Sequence, residues 1–273
     1  MNEEKKIKIE QRMERWLDKD GWKIYEAIRY TPLSGGKLLR SSIILTVGED
    51  LNVDEEDLLD LCVAVEFFHS GTLIHDDLPA IDDANFRRGK KTNHKVFGEN
   101  MAILAGDGLF FKSFIIISEK YPKLTYDFSN VAYDVLIGEA MDVELEEKTM
   151  YTEKDIYEMY RRKTGALFGF SFMAPAKLSG KNFWKELKEI GEDFGKAFQI
   201  YDDIKDVEGD FKKVGKDLGK DVNKKTLLKL KDVRDAQIEA DRIITDILNK
   251  LEHYGLKNTL EFLKKAQSII KEG

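Results

Sequence analysis

Apolar residues recur with helical spacing along nearly the whole chain, and the helix-period stretches are separated by short polar breaks. The pattern predicts helices over 7–19, 22–30, 37–48 and 55–75, then over 100–120, 125–147, 153–174 and 183–207. The remainder predicts 225–231, 236–253 and 257–271. Asp54 with Asp57, and Thr152 with Asp155, have the spacing of capping boxes with Asp in the acidic place. Strand signals are poor, because alternating β-branched stretches are short and no Asn-Gly turn joins two of them. Loops are expected at 31–36, from the acidic stretch after 75 through Lys91, and at 121–123, 175–181 and 208–221. None of these has the composition of an interdomain linker. Two segments, 58–74 and 101–117, are apolar nearly all round, which places them at the centre of a bundle rather than on its rim. The expected fold is all-α, a single domain over residues 1–273.

Composition narrows this picture. With 273 residues, 42% hydrophobic and 11% aromatic, the chain has material for a sizeable core and is not globally disordered. A formal net charge of -7 argues against a general nucleic-acid binder. The single cysteine, Cys62, excludes an intramolecular disulfide and a cysteine-based zinc site, and its apolar helical setting marks it as an inert core residue. The densely charged first fifteen residues lack the apolar segment of a secretory signal. No uninterrupted apolar run approaches the ~18 residues of a membrane span. A soluble cytoplasmic protein is expected.

Chemistry concentrates where the helix over 55–75 ends. Asp76, Asp77, Asp82 and Asp83 place four carboxylates within eight residues, and Arg87 and Arg88 follow. Crowded carboxylates raise one another's pKa unless a cation neutralises them. Such oxygen ligands suit a hard divalent ion, and Mg2+ commonly joins one or two carboxylates to substrate phosphates. Pro79 breaks the regular turn between Asp76 and Asp82, which would let both approach one centre. The pattern returns 126 residues further on, where an apolar helix runs into Asp202, Asp203 and Asp206. Asp202 and Asp206 are four apart, so two like charges share one helical face, a conflict that a cation would relieve. Neither cluster has the spacing of a calcium-binding loop. A diphosphate fits two such clusters, since its oxygens bridge several ions and cationic side chains. Lys37, Arg40, Arg87, Arg88, Lys163 and Lys216 are the basic candidates, and Gly35-Gly36 leading into a helix would offer backbone N–H groups to an anion. Each cation taken alone reads better as a solvated charge, Arg87-Arg88-Gly89 being the hardest to dismiss so, and His69 alone reads better as a core histidine.

Together these residues resemble the trans-polyprenyl diphosphate synthases over nearly the whole chain. The resemblance is carried by Gly35 through Arg40, Glu66 through His69, Leu73 through Gly89, Gly98 through Asp107, Lys163-Thr164-Gly165 and Phe198 through Asp206. The Asp76-Asp77-x4-Asp82 spacing with Leu78-Pro79 is similar to that of short-chain enzymes making farnesyl or geranylgeranyl diphosphate. The resemblance implies a large helical bundle of the isoprenoid synthase type, with both aspartate motifs facing a central active-site cavity, in a homodimer. It implies condensation of an allylic diphosphate, dimethylallyl or geranyl, with isopentenyl diphosphate in isoprenoid biosynthesis. Mg2+, about three ions with substrate bound, would be held by Asp76, Asp77, Asp82, Asp202, Asp203 and Asp206. Arg87, Lys163 and Lys216 would clamp the allylic diphosphate, with Thr164 and Gln199 beside the developing cation. Lys37, Arg40, His69 and Arg88 would hold isopentenyl diphosphate.

The chain departs from the family in three places. The family's Gly-Gly-Lys-Arg-x-Arg-Pro is Gly35-Gly36-Lys37-Leu38-Leu39-Arg40-Ser41 here, and its Gly-Gln-x-x-Asp is Gly138-Glu139-Ala140-Met141-Asp142. Farnesyl synthases of this type usually place Tyr where Gly71 stands, as the floor under the growing tail. Phe68, Gly71 and Thr72 are therefore the candidates for setting product length. Overall resemblance favours farnesyl diphosphate, while Gly71 opens the floor and favours geranylgeranyl diphosphate. A class I terpene cyclase fits less well, because it would not need Lys37, Arg40, His69 and Arg88 together. A non-catalytic partner subunit would be expected to have lost one aspartate motif.

Overall fold

Helical periodicity translates into helices in the structure, a computed structural model that describes residues 3–208 and 224–272. The elements are α1 (Glu3–Trp16), α2 (Lys23–Tyr30), α3 (Leu39–Asp50), α4 (Glu55–Asp76), α5 (Asn93–Phe97), α6 (Glu99–Lys120) and α7 (Thr125–Glu147). They continue as α8 (Glu153–Tyr160), α9 (Ala166–Leu178), α10 (Trp184–Glu208), α11 (Val233–His253) and α12 (Lys257–Glu272). Among the described residues the only sheet is a two-stranded hairpin of β1 (Phe86–Arg87) and β2 (Lys90–Lys91), with Phe86 opposite Lys91. Contacts divide the described chain into two compact units. One holds 3–42 and 55–125; the other holds 43–54, 126–208 and 224–272.

In the first unit α4 is the centre. Leu61 through Phe68 are all buried, on every side of the helix. Its main neighbour is α6, and the two approach where both lack side chains. A Cβ on Gly71 would lie 3.0 Å from the Gly106 carbonyl oxygen, and a Cβ on Gly106 would run into the His75 ring. The start of α4 is tied to α1 by polar groups: Lys8 contacts Glu55 at 2.7 Å, and Trp16 Nε1 donates to Asp60 at 2.7 Å. Tyr121 Oη accepts from the Leu61 N–H at 3.0 Å and donates to the Asp57 carbonyl at 2.6 Å. These bonds pin the entry end of α4, so its other end delivers Asp76 in a fixed place.

The sequence pattern misplaces α6. Although apolar nearly all round, it is not fully enclosed: Leu104, Phe111 and Ile115 are exposed, Phe111 by 68%. Residues 104, 111 and 115 fall on one helical face, which the described residues leave uncovered. The expectation of no membrane-length segment also needs correcting. By length and composition α4 and α6 are both apolar enough to cross a membrane, but α4 is mostly buried within the protein.

The second unit is organised by α9 against α10. Every residue of α9 from Ala166 to Ala176 is buried. Gly165, the residue just before α9, and Gly169 on α9 are four apart, and they meet glycines four apart on α10, Gly191 and Gly195. A Cβ on Gly191 would lie 2.6 Å from Gly169 Cα, and one on Gly195 would overlap Gly165 Cα. The backbones touch, so no side chain separates the helices there.

Several boundaries differ from the pattern, α1 and α3 by a few residues, and others for a visible local reason. The predicted helix over 153–174 is interrupted by a π-helical segment, Arg161–Gly165. It then runs through Pro175 to Leu178, because one proline removes a single N–H donor without closing the helix in its last turn. The helix predicted over 225–231 is only a 3-10 turn, Leu227–Lys229. The chain must extend at Asp232 (φ -70, ψ 158), whose side chain caps α11 by accepting from the Asp235 N–H. At Thr152 the capping box forms as expected.

The glycine contact makes a prediction about stability. Alanine gains about 1 kcal/mol of helix propensity over glycine, but overpacking of two backbones costs ~1–3 kcal/mol per site. Over two sites the overpacking outweighs the propensity gain, so the double variant Gly191→Ala/Gly195→Ala should lose roughly 2 kcal/mol of unfolding free energy in denaturant titration. Gly21→Ala, where a Cβ meets nothing within 4 Å, should be near neutral. Equal stability of the double variant and wild type would contradict the packing.

Candidate functional site

The first unit carries one group of functional side chains. After α4 ends at Asp76 the chain folds back, and the Asp82 N–H donates to the Asp76 carbonyl at 2.9 Å. Residues six apart in sequence are thereby neighbours, as the Pro79 argument expects. Asp76 and Asp82 are half-buried, whereas Asp77 is 2% exposed. Asp77 is engaged by Arg87, whose Nε donates to both carboxylate oxygens at 2.9 Å and whose Nη2 lies 2.7 Å away. Burial raises the Asp77 pKa, opposed by Arg87. Burial likewise disfavours the Arg87 charge, but Asp77, Asp76 and Asp82 outweigh it and the guanidinium pKa rises.

The hairpin between β1 and β2 presents Arg87 and Arg88 in different directions. Arg88 (φ 53) and Gly89 (φ 73) both adopt left-handed backbone, the pair that a two-residue type I′ turn requires. Arg88 Nη1 donates to the Gly35 carbonyl, and its guanidinium lies 2.9 Å from where a Cβ on Gly36 would be. Gly36 (φ 155) thus leaves room for the cation as well as for the turn. Burial lowers the Arg88 pKa, and burial together with Arg88 lowers that of Arg40 to about 10. Glu66, buried on α4, opposes both shifts and accepts from the Ser41 hydroxyl at 2.7 Å and the Ser41 N–H at 3.2 Å. His69 lies near Arg40, Arg88 and Arg87; burial and those cations hold its pKa well below the usual range, so the imidazole is neutral. Lys37 is exposed beside this group.

The second unit carries the other group, built on the π-helical segment. Its backbone is pressed by α7 at Gly138, where a Cβ would overlap the Lys163 backbone, and by α10 at Gly195. Lys163 Nζ lies 2.5 Å from Asp142 and 2.8 Å from Glu139, both on α7. Lys224 is a further 3.9 Å from Asp142. Thr164 donates to Gln199 Oε1 at 3.0 Å, and Gln199 Nε2 donates to Asp203 at 3.0 Å. Asp203 also accepts from the Tyr160 hydroxyl, which accepts the Leu227 N–H at 3.0 Å. Burial raises the Asp203 pKa to about 7, partly countered by Tyr160 and Gln199. Asp202 and Asp206 remain half-buried on the same helix.

The structure therefore brings together Arg40, His69, Arg87 and Arg88 with Asp76, Asp77 and Asp82 in one unit. It brings together Lys163, Thr164, Gln199 and Asp203 in the other. Lys216 lies outside the described residues. Among the described residues, no group of three or more His, Cys, Asp or Glu side chains converges tightly enough to enclose a metal ion. Two half-buried aspartates whose backbones are hydrogen-bonded to each other, Asp76 and Asp82, nonetheless suit Mg2+, which keeps waters and takes substrate phosphates as remaining ligands. Sequence reasoning gave no role to Glu66, Asp142 or Tyr160. Their signal was a polar group inside an apolar helical stretch, a position that demands a partner.

Comparison with known proteins agrees with this geometry. Residues 22–261 match the family model described as polyprenyl synthetase. A geranylgeranyl pyrophosphate synthase of Geoglobus acetivorans is 38% identical over 218 residues, 76% of this chain and 67% of the relative. The crystal structure of a geranyltranstransferase of Thermotoga maritima superposes with a TM-score of 0.91 at 45% identity, covering 99% of this chain and 98% of that one. A geranyltransferase of Helicobacter pylori, solved in complex with magnesium and isoprenyl diphosphate, superposes at 0.87 with 26% identity, covering 99% and 96%.

The raised pKa of Asp203 has a thermodynamic consequence in chelator-treated protein. Folded Asp203 keeps its proton to about pH 7, whereas an unfolded Asp loses it near pH 3.9. Folding takes up that proton between the two values, so the contribution stabilises at low pH and is lost as pH rises toward 7. The stability difference between Asp203→Asn and wild type should shift in the variant's favour from pH 4 to pH 7, read by thermal unfolding. A difference independent of pH would contradict the assignment.

Proposed function

The chain belongs to the polyprenyl synthetase family, and from that premise we propose a short-chain trans-prenyltransferase that condenses dimethylallyl and geranyl diphosphates with isopentenyl diphosphate to give farnesyl diphosphate. The observation that carries the reading is the basic group of Arg40, Arg88 and neutral His69 gathered next to the Asp76–Asp82 turn. A cyclising enzyme needs no second diphosphate site, and two guanidiniums beside a neutral imidazole suit one.

In this proposal Lys37, Arg40 and Arg88 bind isopentenyl diphosphate, and His69 donates to it as a neutral imidazole. Holding that substrate in one orientation sets its double bond against the reacting carbon, a positioning effect that removes entropy from the barrier. Arg87, oriented by Asp77, and Lys163, oriented by Asp142 and Glu139, hold the allylic diphosphate together with Lys216. Bound Mg2+, held by Asp76, Asp82 and Asp202, would neutralise charge developing on the leaving diphosphate. Thr164 and Gln199 set fixed dipoles beside the developing carbocation, so stabilisation needs no rearrangement as the C–O bond breaks. The departing diphosphate would itself take the final proton, so no side chain is assigned that step.

We propose one synthase domain over 1–273; neither contact unit is a continuous stretch of chain. The uncovered apolar face of α6 with Leu104, Phe111 and Ile115 supports the homodimer. Water-soluble diphosphate substrates suit a cytoplasmic enzyme. The relative named as a geranylgeranyl synthase keeps that product as the second reading.

Labelled isopentenyl diphosphate with dimethylallyl or geranyl diphosphate and Mg2+ should yield elongated diphosphates, resolved by chromatography. Chelation should abolish them, and Asp82→Asn should lower kcat by ~100-fold or more, the loss typical of one missing electrostatic stabiliser. No elongation of either primer would contradict the function.

A further inference from the structure

We propose that Phe110 of α6, rather than residue 71 of α4, closes the hydrocarbon end of the allylic pocket, so that growth stops at farnesyl diphosphate. The inference rests on the prenyltransferase reading and names a specificity residue for it.

An allylic diphosphate headed at Asp76 has one apolar direction for its tail, back along α4. Beyond Asp76 the chain is crowded with Asp82, Arg87 and Arg88, whereas behind it α4 is apolar. Thr72 and Phe68 lie four and eight residues back, at about 6 Å and about 12 Å along the axis at 1.5 Å per residue. Gly71 lies between them, and by sequence alone its missing side chain leaves that depth open. The structure fills it from the neighbouring helix. A Cβ placed on Gly71 would lie 2.7 Å from Phe110 Cε1 and 2.9 Å from Phe110 Cδ1. The Phe110 ring occupies the place a side chain at 71 would take.

Two aromatic contacts fix that ring. Its centroid is 5.1 Å from the Phe68 ring, tilted by 45°, and 5.3 Å from the His75 ring at 84°. These are offset and edge-to-face arrangements that aromatic rings favour. His75 is itself tied to α6, its Nε2 3.1 Å from the Ile103 carbonyl and 3.7 Å from Asp107. Gly106, one turn before Phe110, permits the close approach that brings the ring onto Gly71. Phe68 is buried, but Phe110 is only half-buried, so part of its surface is free to meet a hydrocarbon. The glycine and the phenylalanine act as a pair: enlarging residue 71 would displace the ring, and shrinking residue 110 would open the space.

A residue that only packs α6 onto α4 would change stability without changing product length. The test therefore offers isopentenyl diphosphate and Mg2+ with geranyl or farnesyl diphosphate as primer, and sizes the products of wild type, Phe110→Leu and Phe110→Ala. Wild type should convert geranyl to farnesyl diphosphate and leave farnesyl diphosphate unextended. Phe110→Ala should extend farnesyl diphosphate at least 10-fold faster than wild type, with Phe110→Leu between them. If the alanine variant does not fold by circular dichroism, the leucine variant carries the comparison. Variants that elongate geranyl diphosphate as wild type does and still stop at farnesyl would overturn the assignment of Phe110, as would a wild type that itself extends farnesyl diphosphate. A wild type that elongates neither primer would instead overturn the prenyltransferase reading beneath it.

Discussion

A carboxylate withdrawn from water must be paired, protonated or hydrogen-bonded, because leaving it bare costs several kcal/mol. Glu66, Asp77, Asp142 and Asp203 are all buried in this protein, and the functional groups are arranged by how each is satisfied. Asp77 takes Arg87, Asp142 takes Lys163, and Glu66 takes Ser41 while lying near Arg40 and Arg88. Asp203 takes the Tyr160 hydroxyl and the Gln199 amide, and burial still pushes its pKa to about 7. The cations proposed to meet diphosphate are thus held in place beforehand by anions that substrate does not need to reach. Asp76, Asp82, Asp202 and Asp206 stay half-buried, which leaves them suited to a cation from solution.

Glycine supplies the complementary constraint. The π-helical segment that orients Lys163 and Thr164 lies against Gly138 and Gly195, and Arg88 lies on Gly36. At each place backbone or guanidinium takes the volume that a methyl group would need. The Glu139 that departs from the family's glutamine contacts Lys163 at 2.8 Å, alongside Asp142. Lys163 therefore shares its charge between two carboxylates before any substrate arrives.

Much of this was legible in the chain. Period and caps locate α4, α7 and α10 to within a residue or so, and the paired aspartates with Pro79 foretell the fold-back that sets Asp82 on Asp76. What local spacing cannot carry is which distant residues meet. Burial periodicity treats the stretch around Arg161–Gly165 as ordinary helix, because a π turn changes the hydrogen-bond register without changing the apolar pattern. It also marks α6 as central, because an apolar face looks the same whether the chain covers it or not. Gly71 reads as an opened floor only until Phe110, 39 residues later in the sequence, is seen against it. The Arg88-Gly89 turn hides for another reason: its strands are two residues long, too short for alternation to show. The glycines four apart at 165 and 169, and at 191 and 195, were the available signal for the α9–α10 contact.

The half-buried aspartates are proposed to be half of a binding arrangement completed by a divalent cation and a diphosphate. Isothermal titration of inorganic diphosphate into the protein, with and without Mg2+, addresses it directly. The account predicts saturable binding in Mg2+ that vanishes on chelation and weakens strongly when Asp76 and Asp82 are changed to Asn. Equal binding with and without Mg2+, or none in either condition, would contradict it.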